Sequence, residues 1–470
     1  MHFLAFATDY DGTLAHHGVV AASTLELLRR VKATGRKILL VTGREMDDLV
    51  RVFPETEMFD LVIAENGAVL FEPSTGFVKL LCDPPPSTFV EDLRAKGVPM
   101  SAGRVICSTV EPHEHAVLDA IREQGLELQV IFNKGSAMVL PTGINKATGL
   151  VAACGHLGLS HHNVVGIGDA ENDHVFITRC EIGVAVENAL PALKGIADYV
   201  TKGRAGEGVE HFLTEHLLED CRRLAPRIAR HAINLGADVD RPDHSVSVPV
   251  HHQRILVAGQ LPTARHALVS ALTGAVMERE YQILVIDTEG PLTDVAHRAG
   301  MVVVRAQRGS SAAEEIESVF SRPGTSALLE TSWLDGAARV TMVNEVIEAV
   351  RRMQHSRGAP HWILVHDARR VIPAVGPEYI QRLLSMDASI ALSTAYPNDL
   401  NVQMLARVDR ILAADDIAAN HALAGIWKAR HATPGRGVEL RTGGSHYLSI
   451  VVDPEGSART TRFEPAPIWK

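Results

Sequence analysis

The stretch FATDYDGTLA, residues 6 to 15, sets two carboxylates, Asp9 and Asp11, two residues apart at the end of an apolar run, with Gly12 and Thr13 directly behind them. Three later segments bring further reactive groups after apolar runs: Thr42 and Gly43 in VTGR, Lys146 in INKATG, and Asp169, Asn172 and Asp173 in GDAEND. Clustered carboxylates repel one another unless a cation intervenes, and a hard cation such as Mg2+ prefers carboxylate, carbonyl and water oxygens. Mg2+ held by few protein carboxylates usually accompanies substrate phosphate, whose oxygens a lysine, a hydroxyl and backbone N–H groups can hold. The chemistry that this mixture suits is phosphoryl transfer. One aspartate attacks phosphorus to form an aspartyl-phosphate, and the second moves protons. A lone Asp-x-Asp-Gly is as often a turn capped by its own carboxylates; the series of four segments carries the phosphoryl reading.

These groups need a scaffold that gathers distant segments at one edge. HFLAFATD reads as a buried strand, STLELLRRVKATG as a helix ended by Gly35, RKILLVTGR as a strand, EMDDLVRVF as a helix and DLVIAENGA as a strand. This alternation predicts a parallel sheet with right-handed crossovers, which binds ligands at the C-terminal ends of its strands. The rhythm breaks at Pro84 to Pro86, because consecutive prolines cannot continue a strand or helix interior. Residues 84–140 therefore read as a small inserted α+β module, after which the strand–helix pattern resumes to residue 215.

With these residues in place, the chain resembles the haloacid dehalogenase-like hydrolase superfamily over residues 1–215. DYDGT, VTGR, Lys146 and GDAEND stand in that family's order, and an insertion between the second motif and the lysine is similar to the type-two cap of its Cof-like branch. The resemblance implies Asp9 as nucleophile and metal ligand, and Asp11 as general acid and then base, with its carbonyl on the metal. It implies Thr42, Gly43 and Lys146 as phosphate-binding residues, Asp169 as a Mg2+ ligand, and Asn172 and Asp173 as groups that orient the loop and the metal shell. The cap is expected to choose the substrate. Its Arg94, Lys96, Arg104 and Lys134 could reach an anionic group, though each reads more readily as a solvated charge.

The second half starts a new α/β pattern at Arg254, after a polar stretch, 216–250, read as a linker. ILVAGQLPTARHALVSALTG, residues 255 to 274, has strand–loop–helix character and partly fits the phosphate-binding pattern G-x-x-x-x-G-K-[ST]. Gly259 matches, but Ala264, Arg265 and His266 replace the second glycine, the lysine and the hydroxyl. HWILVHDARR carries Asp367 where a Walker B aspartate would stand, and ILVIDTEG resembles P-loop ATPases of the HerA-like kind. The expectation for residues 251–430 is a degenerate P-loop-like domain with weak or absent ATP hydrolysis and nucleotide binding left open, followed by a C-terminal extension, 431–470.

Of 470 residues, 46% are hydrophobic, and the formal net charge of -10 argues against nucleic acid as the main partner. The first residues lack a positive n-region, no apolar run approaches a membrane span, and the five cysteines form no CxxC pair. A cytoplasmic protein without a membrane partner is expected. The histidine pairs at 16–17, 161–162 and 251–252 lack ligand spacing and read as surface or loop residues. The whole points to a Mg2+-dependent phosphatase of a small phosphorylated metabolite, of the sugar phosphate or phosphoglycolate class. A phosphosugar mutase, or a nucleotide-sensing or scaffold protein, stands as the alternative, and an oligomer is open.

Overall fold

The computed structural model describes residues 2–133, 135–305, 311–372, 379–414, 416–430, 448–452 and 458–462. The chain divides into two compact units, Phe3–Ala225 and Pro226–Lys470, the latter joined by Met1–His2.

In the first unit the strands are β1 Ala5–Thr8, β2 Lys37–Val41, β3 Leu61–Ala64, β4 Val69–Glu72 and β5 Phe77–Leu80, then β6 Ser101–Ala102, β7 Cys107–Val110, β8 Leu128–Asn133 and β9 Ser136–Pro141, and finally β10 Val164–Gly168, β11 Ile182–Ala185 and β12 Tyr199–Val200. The main sheet runs β12-β11-β10-β1-β2-β3-β4-β5. Its first six strands are parallel, as the strand–helix alternation requires, and the β3–β4–β5 edge is an antiparallel meander. β1, β2, β3 and β10 read as apolar runs because both of their faces are covered; Phe6, Ile38, Val62 and Val165 are fully buried.

The insertion is a separate four-stranded antiparallel sheet, β6-β7-β9-β8. Its helices Ser87–Ala95 and Glu114–Gln124 pack a small core of Phe89, Leu93, Val117 and Val139.

The second unit has β13 Ile233–Asp238, β14 Ser245–Val248, β15 Arg254–Ala258, β16 Ile283–Asp287, β17 Val302–Val304, β18 Ala327–Glu330, β19 Trp362–His366, β20 Ser389–Thr394, β21 Arg410–Ala413, β22 Leu448–Val452 and β23 Ala458–Arg462. They form one sheet, β14-β13-β23-β22-β21-β15-β20-β19-β16-β18-β17. From β21 to β17 it is parallel, with apolar clusters on both faces.

Two boundaries need correction. The stretch 216–250 is not an irregular linker throughout: β13 and β14 form an antiparallel hairpin within it. Both strands alternate buried and exposed residues, the period of a half-buried strand, but the polar turn between them masks that signal. In the C-terminal extension, β22 pairs antiparallel with β21, and β23 pairs antiparallel with β22 and with β13. His162 is likewise not a surface residue; it is buried with its Nδ1 2.6 Å from Glu181 Oε2. Among the described residues no helix is long and apolar enough to cross a membrane.

Candidate active site

β1 is the point where the sheet order turns, with β2 on one side and β10 on the other, so a crevice opens beyond its C-terminal end. Asp9 directly follows β1, Thr42 follows β2, and Asp169 follows β10. The Asp9 N–H donates to the Ile167 carbonyl at 3.0 Å, which ties the first aspartate to the strand that delivers the fourth motif.

Lys146 comes from outside the sheet, as the first residue of the helix Lys146–Leu157. Asn145 caps this helix by accepting from the Ala147 and Thr148 N–H groups. Two glycines let the helix approach. A Cβ on Gly67, whose φ is +102°, would lie 2.0 Å from the Asn145 carbonyl oxygen, and one on Gly149 would lie 2.6 Å from Gly67 Cα. A methyl at 149 must therefore push the helix and Lys146 outward. Displacements of about 1 Å cost about 10²-fold in rate. The expected result for Gly149→Ala is a phosphate-release rate lowered on that order with no charged group removed, read in steady-state kinetics.

The delivered lysine is buried between two carboxylates: Nζ donates at 2.6 Å to Asp9 Oδ1 and at 2.6 Å to Asp173 Oδ1. The other Asp173 oxygen accepts the N–H groups of Asp169 and Ala170 at 2.9 and 3.0 Å, so this one carboxylate orders both the loop and the lysine. Thr13 donates to Asp169 Oδ1 at 3.1 Å, and Asn172 donates to Asn66 Oδ1 at 3.0 Å. Burial, reinforced by the Asp173 charge, pushes the Asp9 carboxyl up to about 7. Burial alone would lower the Lys146 ammonium, but Asp173 and Asp9 carry it above its ordinary value. Three carboxylates thus share one ammonium. Asp9, Asp169 and Asp173 each offer an oxygen within 4.8 Å of the others.

Asp11 is held differently. The Arg44 guanidinium donates to both of its oxygens, at 2.6 and 2.8 Å, and to Asp48 at 2.6 Å. Nothing in the local pattern of VTGR distinguishes this arginine from a solvated one; the pairing arises because β1 and β2 are neighbours. The Thr42 hydroxyl accepts from the Arg44 N–H at 3.1 Å.

Asp9, Asp11, Thr42, Gly43, Arg44 and Asn172 line a cavity of about 340 Å³, closed on the far side by Ser101, Ile106, Ser108, Ser136 and Met138 of the insertion. Lys146, Asp169 and Asp173 do not line it; all three are buried, and Lys146 reaches it through Asp9. Gly43 passes close to both walls, since a Cβ there would come within 3.4 Å of Asn172 Nδ2 and of Met138 Sδ. The cap cations are elsewhere. Arg94 donates to the Met100 carbonyl, Lys96 pairs with Asp92 and Glu123, and Arg104 pairs with Asp47. Lys134 lies outside the described residues.

Glu65 is the residue that the sequence reading passed over. Fully buried behind Asn66, its carboxylate accepts the N–H groups of Arg104, Val105 and Ile106 at 2.9, 2.7 and 3.0 Å, and so docks the cap loop on the core. Its only signal in the sequence is a charge next to a turn. Glu65→Ala leaves buried donors unpaired, and the expected cost is about 3 kcal/mol. Thermal unfolding should show it as a lower midpoint, and kinetics as a KM raised more than kcat is lowered.

In the second unit, the helix Pro262–Glu278 starts after only three residues beyond β15, 259–261, so Pro262 and Thr263, which the phosphate-binding pattern needs as loop, are helical. Arg265 turns inward. It donates to the Gly259 carbonyl at 2.9 Å and reaches Glu289 Oε2 at 3.2 Å. Asp367 joins the same network through Arg370, whose Nε lies 2.8 Å from it and whose Nη2 lies 3.6 Å from Glu289.

Compared with known proteins, residues 6–80 and 107–213 match a family model described as haloacid dehalogenase-like hydrolase. Phosphoglycolate phosphatase 2 of Saccharolobus solfataricus is 31% identical over 221 residues, which is 45% of this chain and 91% of that protein. A phosphoglycolate phosphatase of Methanothermobacter thermautotrophicus is 31% identical over 213 residues, 44% of this chain and 95% of that protein. A solved haloacid dehalogenase-like hydrolase from Bacteroides thetaiotaomicron aligns with a TM-score of 0.40 at 21% identity, over 45% of this chain and 98% of that one.

Proposed function

The chain belongs to the haloacid dehalogenase-like hydrolases and is a phosphoric monoester hydrolase, and from that premise we propose that it is a Mg2+-dependent phosphatase of a small phosphorylated metabolite, acting through a phosphorylated Asp9. The observation that carries this reading is the single carboxylate that both lines the cavity and is gripped from behind by a buried lysine. Lys146 holds one Asp9 oxygen, which fixes the plane of the attacking carboxylate.

The residues present suit Mg2+. The donor set is all oxygen, and three carboxylates converge around a single lysine. Asp9, Asp169 and the Asp11 carbonyl would hold the ion, with Asp173 and Asn172 ordering its surroundings. When bound, it supplies neutralisation of the carboxylates and of the phosphoryl oxygens.

In the first half-reaction an Asp9 oxygen forms a bond to phosphorus as the ester P–O bond breaks, and Asp11 passes a proton to the leaving alcohol. In the second, Asp11 takes a proton from water, the water oxygen bonds to phosphorus, and Asp9 is released with inorganic phosphate. Thr42 and the Gly43 amide bind phosphoryl oxygens. Arg44 holds Asp11 in reserve, so delivery of the proton needs one of its two bonds to open.

The substrate proposed is a compact phosphoester, either a sugar phosphate or phosphoglycolate. The cavity volume admits a molecule of that size, and serine hydroxyls line its far wall. Phosphate release from a panel of such esters tests the reading. Turnover that needs Mg2+, is lost with a chelator and returns on adding Mg2+ is the expected result. A folded, Mg2+-loaded protein that hydrolyses no ester would overturn it.

A further inference from the structure

The C-terminal edge of the second sheet gathers three groups that sequence spacing keeps apart. β16 and β19 are parallel neighbours, with Asp287 opposite His366 at their ends. Beyond β16, the buried Asp287 carboxylate accepts the N–H groups of Glu289, Gly290 and Leu292, each at 3.0 Å, and this ordered turn presents the Glu289 side chain. His266 arrives from the start of the helix that follows β15. Its Nε2 lies 3.4 Å from Glu289 Oε2, and His366 Nε2 lies 3.1 Å from the same oxygen. The two imidazoles stand with ring centroids 4.8 Å apart at 67°.

Two features set this cluster apart from an ordinary hydrogen-bonded trio. His366 is fully buried, and its Nε2 approaches Glu289 Oε2 to 3.1 Å without the alignment of a strict N–H hydrogen bond. Its other nitrogen, Nδ1, lies 3.2 Å from the buried Ser393 hydroxyl. With Nδ1–H donating to that oxygen, Nε2 carries the lone pair. This is the outer support that metal-bound histidines have.

The separations also fit one ion. Ligands about 2.0–2.2 Å from a tetrahedral zinc lie about 3.3–3.6 Å from each other, and the three ligand atoms here lie within 4.8 Å of one another, close enough for small side-chain shifts to bring them onto one ion. We propose that His266 Nε2, His366 Nε2 and the Glu289 carboxylate form a binding site for a zinc-class divalent ion, with three protein ligands and a fourth position open to water or a ligand. Imidazole donors select such an ion over Mg2+. Arg265 and Arg370 also approach Glu289, and Arg370 is paired in turn with Asp367.

The test uses the full chain, stripped with a chelator and then held in excess Mg2+ to occupy carboxylate sites. Co2+ is titrated while visible d–d absorption is followed, with Zn2+ as competitor. One equivalent of Co2+ should bind with tetrahedral bands that Zn2+ bleaches, and Asp9→Asn should retain them. His266→Ala should weaken binding by at least about 100-fold, and Ser393→Ala by about 10–100-fold, the cost of losing an outer partner. His266 is partly exposed, so its truncation removes little packing; Glu289→Gln, a near-isosteric change, should also abolish the bands, with circular dichroism confirming the fold. Absence of bands in the wild type, bands lost in Asp9→Asn, or bands that survive His266→Ala and Glu289→Gln would each overturn the site.

Discussion

Asp9→Asn should give a folded protein that releases no measurable phosphate, a loss of at least about 10⁴-fold, the order seen when a catalytic nucleophile is removed. An amide is nearly the same size as a carboxylate but has no charge to place on phosphorus. The fold should stand because Lys146 keeps its second partner, Asp173, at 2.6 Å. The substitution also removes the carboxyl that burial and Asp173 push up to about 7, so part of the lost ion pair is offset. The check is phosphate release under saturating Mg2+, with acid quenching to look for a covalent phosphoprotein in the wild type and its absence in the variant. Residual turnover within about tenfold of wild type would remove Asp9 from the nucleophile's place.

Lys146→Met should be as damaging to activity and far more damaging to stability. Methionine fills much of the lysine's volume, so packing is kept while the charge is lost. Asp9 and Asp173 are then left buried beside each other with their shared partner gone. Breaking a buried pair by removing one member costs about 3–5 kcal/mol, which corresponds to a midpoint lowered by roughly 10 °C for a unit of this size. Asp173 would lose its lysine but keep the two backbone N–H groups of the loop, so the damage should centre on Asp9. A divalent cation that binds only the folded state should restore part of the loss, rising with the logarithm of its concentration. Calorimetry with and without Mg2+ measures both effects. An unchanged midpoint would mean that the lysine does not hold the cluster together.

Much of the first unit is legible in the chain because its signals are local. An apolar run ending in Asp9, one ending in Thr42 and one ending in Asp169 each state a buried strand and the group at its tip, and sheet topology alone then gathers the tips. Lys146 is legible only through its place in the series. Its helix reaches the cluster because Gly67 and Gly149 permit contact, and that contact joins segments about eighty residues apart. The β13–β14 hairpin was obscured for the opposite reason: its alternation is local, but the turn residues between its strands are those of a linker.

What the sequence determined by itself is therefore which groups stand at strand ends, since burial of a strand is written in its own residues. Tertiary structure alone decided who meets whom across those ends. Arg44 on Asp11, Glu65 under the cap loop, and Glu289 between His266 and His366 are pairings between segments far apart in the chain. Their energies depend on distance and desolvation after packing, and no spacing along the chain encodes either quantity.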